Sequence, residues 1–171
     1  LTDQVHAGQG LTLIVPVSAQ SLSNVVYLET VRTLLAESPM RHPRQRLVIA
    51  IAESTVITHR TPVERLNTLL RGLGSGLMIT GYGGSINAIG ILELLQPLYV
   101  RLDDALTRRL ERKGEYAADD RDVLTAALAQ GATVVAGGID SAGSLSGLWT
   151  KGIRCFQGYY IREPETAPAL A

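Results

Sequence analysis

The sequence predicts a parallel α/β domain, and three observations carry that expectation. Short apolar runs rich in β-branched residues recur six times along the chain. Amphipathic stretches with helical spacing separate them. The runs are apolar almost throughout rather than alternating, as in parallel strands covered on both faces. A closed (β/α)8 barrel takes about 250 residues, roughly 31 for each βα unit. At that rate the 171 residues hold about five to six units. Either the sheet is open, or an N-terminal portion of a barrel is not represented.

The elements follow in order. Leu11–Val17 (LTLIVPV) reads as the first strand. Leu22, Val25, Val26, Leu28, Val31, Leu34 and Leu35 recur at helical spacing, and Ser38-Pro39 ends that helix. Leu47–Ala52 (LVIAIA) is the second strand. Pro62 stands where a proline opens a helix, ahead of Val63, Leu66, Leu69 and Leu70, with Gly72 as its cap. Leu77–Thr80 is the third strand, and Ile89 to Leu95 the helix after it. Leu98–Leu102 and the helix Asp103 to Arg112 form the next unit. Val123 to Ala129 is a further helix, stopped by Gly131. Thr133–Ala136, a Gly-interrupted helix over Ser141 to Trp149, and Ile153–Phe156 complete the series. Residues 1–163 read as one partial domain, and 164–171 (PETAPALA) as a flexible C-terminal tail.

Composition excludes some partners. Sixteen basic and sixteen acidic side chains leave no net charge, so no field draws a nucleic acid polymer or an anionic membrane surface. No apolar run approaches the roughly 18 residues that span a bilayer, and no signal peptide is visible. The single cysteine, Cys155, cannot form an internal disulfide, which fits a cytoplasmic setting and an inert core thiol. The chain begins at Leu1 and not Met, so it reads as a piece of a longer protein, whose upstream part can include a membrane anchor or sensory domain. His6, His42 and His59 lack metal-ligand spacing and read as surface residues. Trp149 and Tyr159 read as packing residues. Gly72, Gly74 and Gly76 precede a strand, the wrong context for a phosphate loop, whereas Gly81, Gly83 and Gly84 stand between strand and helix.

Several further stretches share an order. Val15-Pro16-Val17-Ser18-Ala19 closes the first strand, and Leu47 to Ser54 reads LVIAIAES. Gly76 to Asp103 is a long block ending in Arg101-Leu102-Asp103. Val134 to Ser141 reads VVAGGIDS, and Gln157-Gly158-Tyr159 follows. Together these resemble the EAL domain family, whose motifs are V-N-V-S-A, L-V-x-E-I-T-E-S, D-D-F-G with K-x-D, V-x-A-E-G-V-E-T and Q-G-Y. The resemblance implies a modified (β/α)8 TIM-like barrel of EAL type, with its N-terminal strands not represented in this chain. It also implies a bacterial signalling context, since the family hydrolyses cyclic-di-GMP with two divalent metals.

Two-metal hydrolysis needs several oxygen ligands at one mouth and a group that activates water. The resemblance puts the family's metal-binding Asn on Pro16, the first Glu of its second motif on Ala50, and its Asp pair on Thr80 and Gly81. Its Lys falls on Arg101, and the Glu of A-E-G on Gly137; Asp140 keeps an acid, one methylene shorter. Glu53, Asp103 and Gln157 are unchanged. The name-giving E-A-L has no counterpart. A guanidinium stays protonated, so Arg101 cannot act as a base.

The expectation is a non-catalytic module with no cofactor and no catalytic or metal residues. Arg101, Asp103, Asp140, Gln157 and Glu53 are its candidate ligand-binding residues, with Arg101 reaching a phosphate in bidentate fashion. Each has a plainer reading. Arg101 and Asp103 can be an ion pair, Glu53 can satisfy backbone donors near a helix start, Asp140 can be an N-cap, and Gln157 can bond neighbouring backbone. Cyclic-di-GMP is the expected ligand, with a protein partner or homodimer through Tyr82 to Ile91 and Leu98–Arg109. A ligand-free interaction scaffold is the alternative; active hydrolysis would need unconventional metal ligands.

Overall fold

A computed structural model describes residues 11–37, 45–112, 117–161 and 163. His6, His42 and the tail beyond residue 163 lie outside the described residues. Six strands form one sheet in chain order: β1 (Leu11–Pro16), β2 (Gln45–Ala52), β3 (Gly76–Tyr82), β4 (Tyr99–Leu102), β5 (Thr133–Ala136) and β6 (Cys155–Phe156). The pairs β1–β2, β4–β5 and β5–β6 are parallel. Helices α1 (Ala19–Leu22), α2 (Val25–Glu37), α3 (Glu53–Thr58), α4 (Arg60–Gly72), α5 (Ala88–Leu95), α6 (Asp104–Glu111), α7 (Ala118–Ala129) and α8 (Ala142–Trp149) connect them. None is long and apolar enough to cross a membrane.

The described residues form two compact units, 11–37, 45–51 and 55–78 in one, 52–54, 79–112, 117–161 and 163 in the other. In the first, Val48, Ile49 and Ile51 of β2 are buried, as are Val63, Leu66 and Leu70 of α4, spaced to share one helix face. Strand β1 departs from the expected two-sided burial, with Leu13 37% and Ile14 40% exposed. The apolar series from Leu22 to Leu35 is two helices, because Ser23 caps α1 and Asn24 Oδ1 accepts from the Val26 N–H. Helix α4 starts at Arg60, so Pro62 is its third residue and not its first. The proline is tolerated there because the first helical N–H groups have no partner in the helix. Its cap is Leu73, and the left-handed residue is Gly74, not Gly72.

In the second unit α5 packs on α7, and α6 on α8. Val100, Leu102, Val134 and Ala136 face the buried side of their strands, and Leu92, Leu95, Leu106, Leu110, Leu124 and Leu148 are the buried positions of the helices. Helix α6 is specified locally. Asp103 caps its first turn, Asp104 opens it, and Arg108 and Arg109 close it, so charges complement the helix dipole at both ends. Cys155 is half-buried. Trp149 is half-exposed, stacks on Phe156 at 6.1 Å and carries Arg154 over its ring at 4.4 Å. Tyr159 does not pack as expected and is 75% exposed.

Arg109 joins α6 to α7 through one guanidinium edge in bidentate fashion, Nε to Asp120 Oδ2 and Nη2 to Asp120 Oδ1, each 2.8 Å. The Arg109 hydrogen bonds hold the buried Asp120 carboxyl below its usual range. A lowered folded pKa means stability present above the ordinary value and lost as pH falls below it. Asp120→Asn should therefore cost about 1 kcal/mol at pH 7, discounted because Arg109 is half-exposed. In urea unfolding that difference should shrink once the pH drops below about 3.9, the ordinary aspartate value.

Candidate functional site

The loop from β3 to α5 is shaped by backbone that few side chains permit. Gly81 and Gly83 have φ of +69° and +83°, and a Cβ on Gly83 would also collide with Leu106 Cδ2. The Gly83 N–H donates to Glu53 Oε2 at 2.9 Å. Glu53 is the first residue of α3 and only 3% exposed. That bond gives the buried side chain a polar partner. The plainer expectation for Glu53, a partner for backbone donors, holds, though the donor lies in another loop.

Tyr82 is fully buried and its hydroxyl donates to the Val123 carbonyl at 3.1 Å. Burial first, and the nearby Glu53 carboxylate second, push its phenol up to about 12. Tyr82 and Ile91 are buried within the chain, so the interface expected over Tyr82 to Ile91 is narrowed to its exposed members. Of these, Ile86 is fully exposed at 101%.

At the end of β4 the expected Arg101–Asp103 ion pair is not formed. Asp103 turns onto its own helix, where Oδ1 accepts from the Ala105 N–H at 2.8 Å and the Leu106 N–H at 3.4 Å. Its backbone N–H donates to the Tyr82 carbonyl at 2.8 Å, tying the exits of β3 and β4 together. Arg101 pairs instead with Asp104, Nη2 to Oδ1 at 3.4 Å, a long contact at an exposed rim. The Arg101 side chain is 31% exposed.

Beyond β5, Gly137 is buried and bare. A Cβ there would stand 2.8 Å from Arg101 Nε and 2.9 Å from Cζ, so the guanidinium occupies the space of a side chain at 137. Asp140 is exposed and accepts from Ser144 Oγ at 3.4 Å. It is not the N-cap of α8; Ser141 is, accepting from the Ser144 N–H at 3.2 Å. The Gln157 backbone donates to the Ala136 carbonyl at 2.9 Å and accepts from the Ile139 N–H at 3.1 Å, while the residue stays exposed.

Glu53, Arg101, Asp103, Asp140 and Gln157 thus all stand at or just past strand C-terminal ends. Contacts join Glu53 to Gly83, and Arg101 to Asp104 and Gly137. Reading the sequence alone misses Asp104 as the Arg101 partner, although the i, i+3 spacing on a strand-to-helix turn marks it. Among the described residues no group of three or more His, Cys, Asp or Glu is placed to hold a metal ion.

Comparison with known proteins meets this geometry. The EAL domain profile matches residues 1–164. The chain belongs to the EAL domain family. Among solved EAL structures, the FimX EAL domain of Pseudomonas aeruginosa bound to c-di-GMP is 23% identical, with a TM-score of 0.77 over 97% of this chain and 67% of that one. The Xanthomonas citri FimX EAL domain, also with c-di-GMP, is 21% identical, TM-score 0.78, over 99% and 65%. The PaMucR phosphodiesterase in its c-di-GMP complex is 20% identical, TM-score 0.78, over 99% and 69%. An uncharacterised protein of Synechocystis is 24% identical over 152 residues, 89% of this chain and 22% of that protein. The chain therefore spans about two thirds of these EAL structures and under a quarter of the curated relative. The expected EAL-type α/β fold is the one observed.

Tyr82 yields a test of the loop. A raised folded pKa gives stability that is whole below the ordinary tyrosine value, about 10, and lost as pH rises through the folded one. Thermal unfolding at pH 9 and pH 11 should show a loss in the wild type that exceeds the loss in Tyr82→Phe.

Proposed function

We propose that this EAL domain is a catalytically inactive receptor for cyclic-di-GMP, acting as a regulatory module in bacterial second-messenger signalling within the cytoplasm. The observation that supports it most is the Arg101 guanidinium over bare Gly137, in a mouth whose carboxylates are replaced or engaged. The fit to two metals is poor on the donor set. One oxygen of Glu53 holds the Gly83 N–H, and one of Asp103 holds the first turn of α6. Thr80, Gly81 and Gly137 offer no carboxylate where the family motifs carry one. Hard divalent ions need several oxygens together, and these side chains do not supply them.

A cyclic dinucleotide offers two phosphodiester monoanions. Arg101 would donate two parallel hydrogen bonds to one of them, exchanging its long contact with Asp104 for a stronger one. Asp140 and Gln157, both exposed at neighbouring strand ends, would meet polar edges of the ligand. Glu53 and Asp103 would act through the loops they hold. The FimX relatives, described as bound to c-di-GMP, make this ligand class the natural one to test. A scaffold without ligand is the second reading, favoured by the fully exposed Ile86, which suits a protein partner or a second copy of the chain.

Calorimetric titration with cyclic-di-GMP, in EDTA and again in magnesium, separates the readings. The receptor reading expects saturable binding that is equal in both, no linear dinucleotide after prolonged incubation, and at least about tenfold weaker binding by Arg101→Ala. Binding that requires magnesium, or accumulation of the linear product, would overturn it. No heat at high micromolar ligand would favour the scaffold.

A further inference from the structure

Gly137 differs from Gly81, Gly83 and Gly138 in why it is a glycine. Gly81, Gly83 and Gly138 have φ between +69° and +83°, where a side chain is strained. Gly137 is not among the positive-φ residues, so its backbone would accept any side chain. A side chain there would compete for space with the Arg101 guanidinium, which would have to move.

The strand register explains the meeting. Arg101 pairs with Val135 across the parallel β4–β5 ladder. Side chains alternate with a period of two, so Arg101, Val135 and Gly137 share one face. A long side chain leaning along the strand direction from Arg101 passes beside Val135 and reaches position 137. Burial agrees, since Arg101 and Val135 are half-buried while Val100, Leu102, Val134 and Ala136 on the opposite face are fully buried.

We propose that Gly137 is a positioning residue: its missing side chain seats the Arg101 guanidinium at the strand ends and makes it the phosphate-recognising cation of the site. This rests on the receptor reading above. A guanidinium recognises phosphate through a planar fork, so its orientation matters as much as its charge. The ion pair to Asp104 is too long and too exposed to hold it, with Asp104 61% exposed. The bare position at 137 leaves open the volume in which the guanidinium lies. The colliding atoms are the end of a flexible side chain, so Gly137→Ala moves the guanidinium without breaking the strand.

Cyclic-di-GMP is titrated in EDTA into the wild type, Gly137→Ala, Arg101→Lys and the double variant, with Gly72→Ala as control because its Cβ meets open space. Gly137→Ala should bind about tenfold more weakly although its charge is unchanged, and the double variant no more weakly than Arg101→Lys, since lysine has no fork to misplace. Without ligand, the Arg101 Nε–Hε resonance should shift in Gly137→Ala and stay in place in Gly72→Ala. Wild-type affinity with an unmoved resonance in Gly137→Ala overturns the proposal, as does a double variant whose losses simply add. Absence of binding in every protein, with the resonance shift intact, sinks the receptor reading and not the seating of Arg101.

Discussion

One buried carboxylate sets the geometry of the strand ends. Glu53 is 3% exposed, and a carboxylate taken from water is costly unless its oxygens find donors. The Gly83 N–H supplies one. Because that donor belongs to the loop after β3, the bond fixes where the loop runs and not merely the side chain. Gly83 is pressed against Leu106 by the same path, which places α6. The Tyr82 carbonyl then takes the Asp103 N–H and aligns the exit of β4. Arg101, two residues earlier, inherits its position from this series. Loss of the Glu53 side-chain acceptor would leave the part-buried Gly83 N–H without this bond.

Retained motif residues and retained chemistry are therefore different things. Glu53 and Asp103 keep the family identity, yet in this fold each directs an oxygen at backbone N–H groups. An acid used so is a structural part whether or not a metal site ever stood beside it. Arg101 shows the converse. It stands where the resembling motif carries a lysine, and its guanidinium lies beside the bare position at 137, where a side chain would compete with it for one volume. On the proposed reading, a change at either position acts on the other.

The parts of the fold legible in the sequence were those governed by local pattern. Apolar runs marked all six strands to within a few residues, and the helix expected over Asp103 to Arg112 is α6. Short-range interruptions were harder to see. Ser23 and Asn24 break the helix between Leu22 and Val25 without disturbing its apolar period, because a cap needs only one turn of backbone. Helix α3, six residues long, falls below the length at which periodicity is informative. The candidate residues could be assigned to strand ends from the sequence, but their hydrogen-bond partners could not. Asp103 and Asp104 are adjacent, and only the cap geometry decides which one faces Arg101. The Arg101–Gly137 contact spans two strands and needs a register, which no one-dimensional pattern contains.

On the proposed reading, the change at this mouth is a change in who carries the positive charge. A bound divalent ion neutralises phosphate, orients it and lowers the pKa of a coordinated water, so recognition and hydrolysis come from one source. A seated guanidinium can do the first two and not the third, because it has no coordination position for a water and stays protonated at neutral pH. It needs no cluster of carboxylates to hold it, so the acids that a metal requires become free to serve the backbone, as Glu53 and Asp103 do. A cation fixed to β4 also cannot leave with the product or exchange with solvent. Binding would then report nucleotide concentration without consuming the nucleotide, which is the property a receptor needs and a hydrolase lacks.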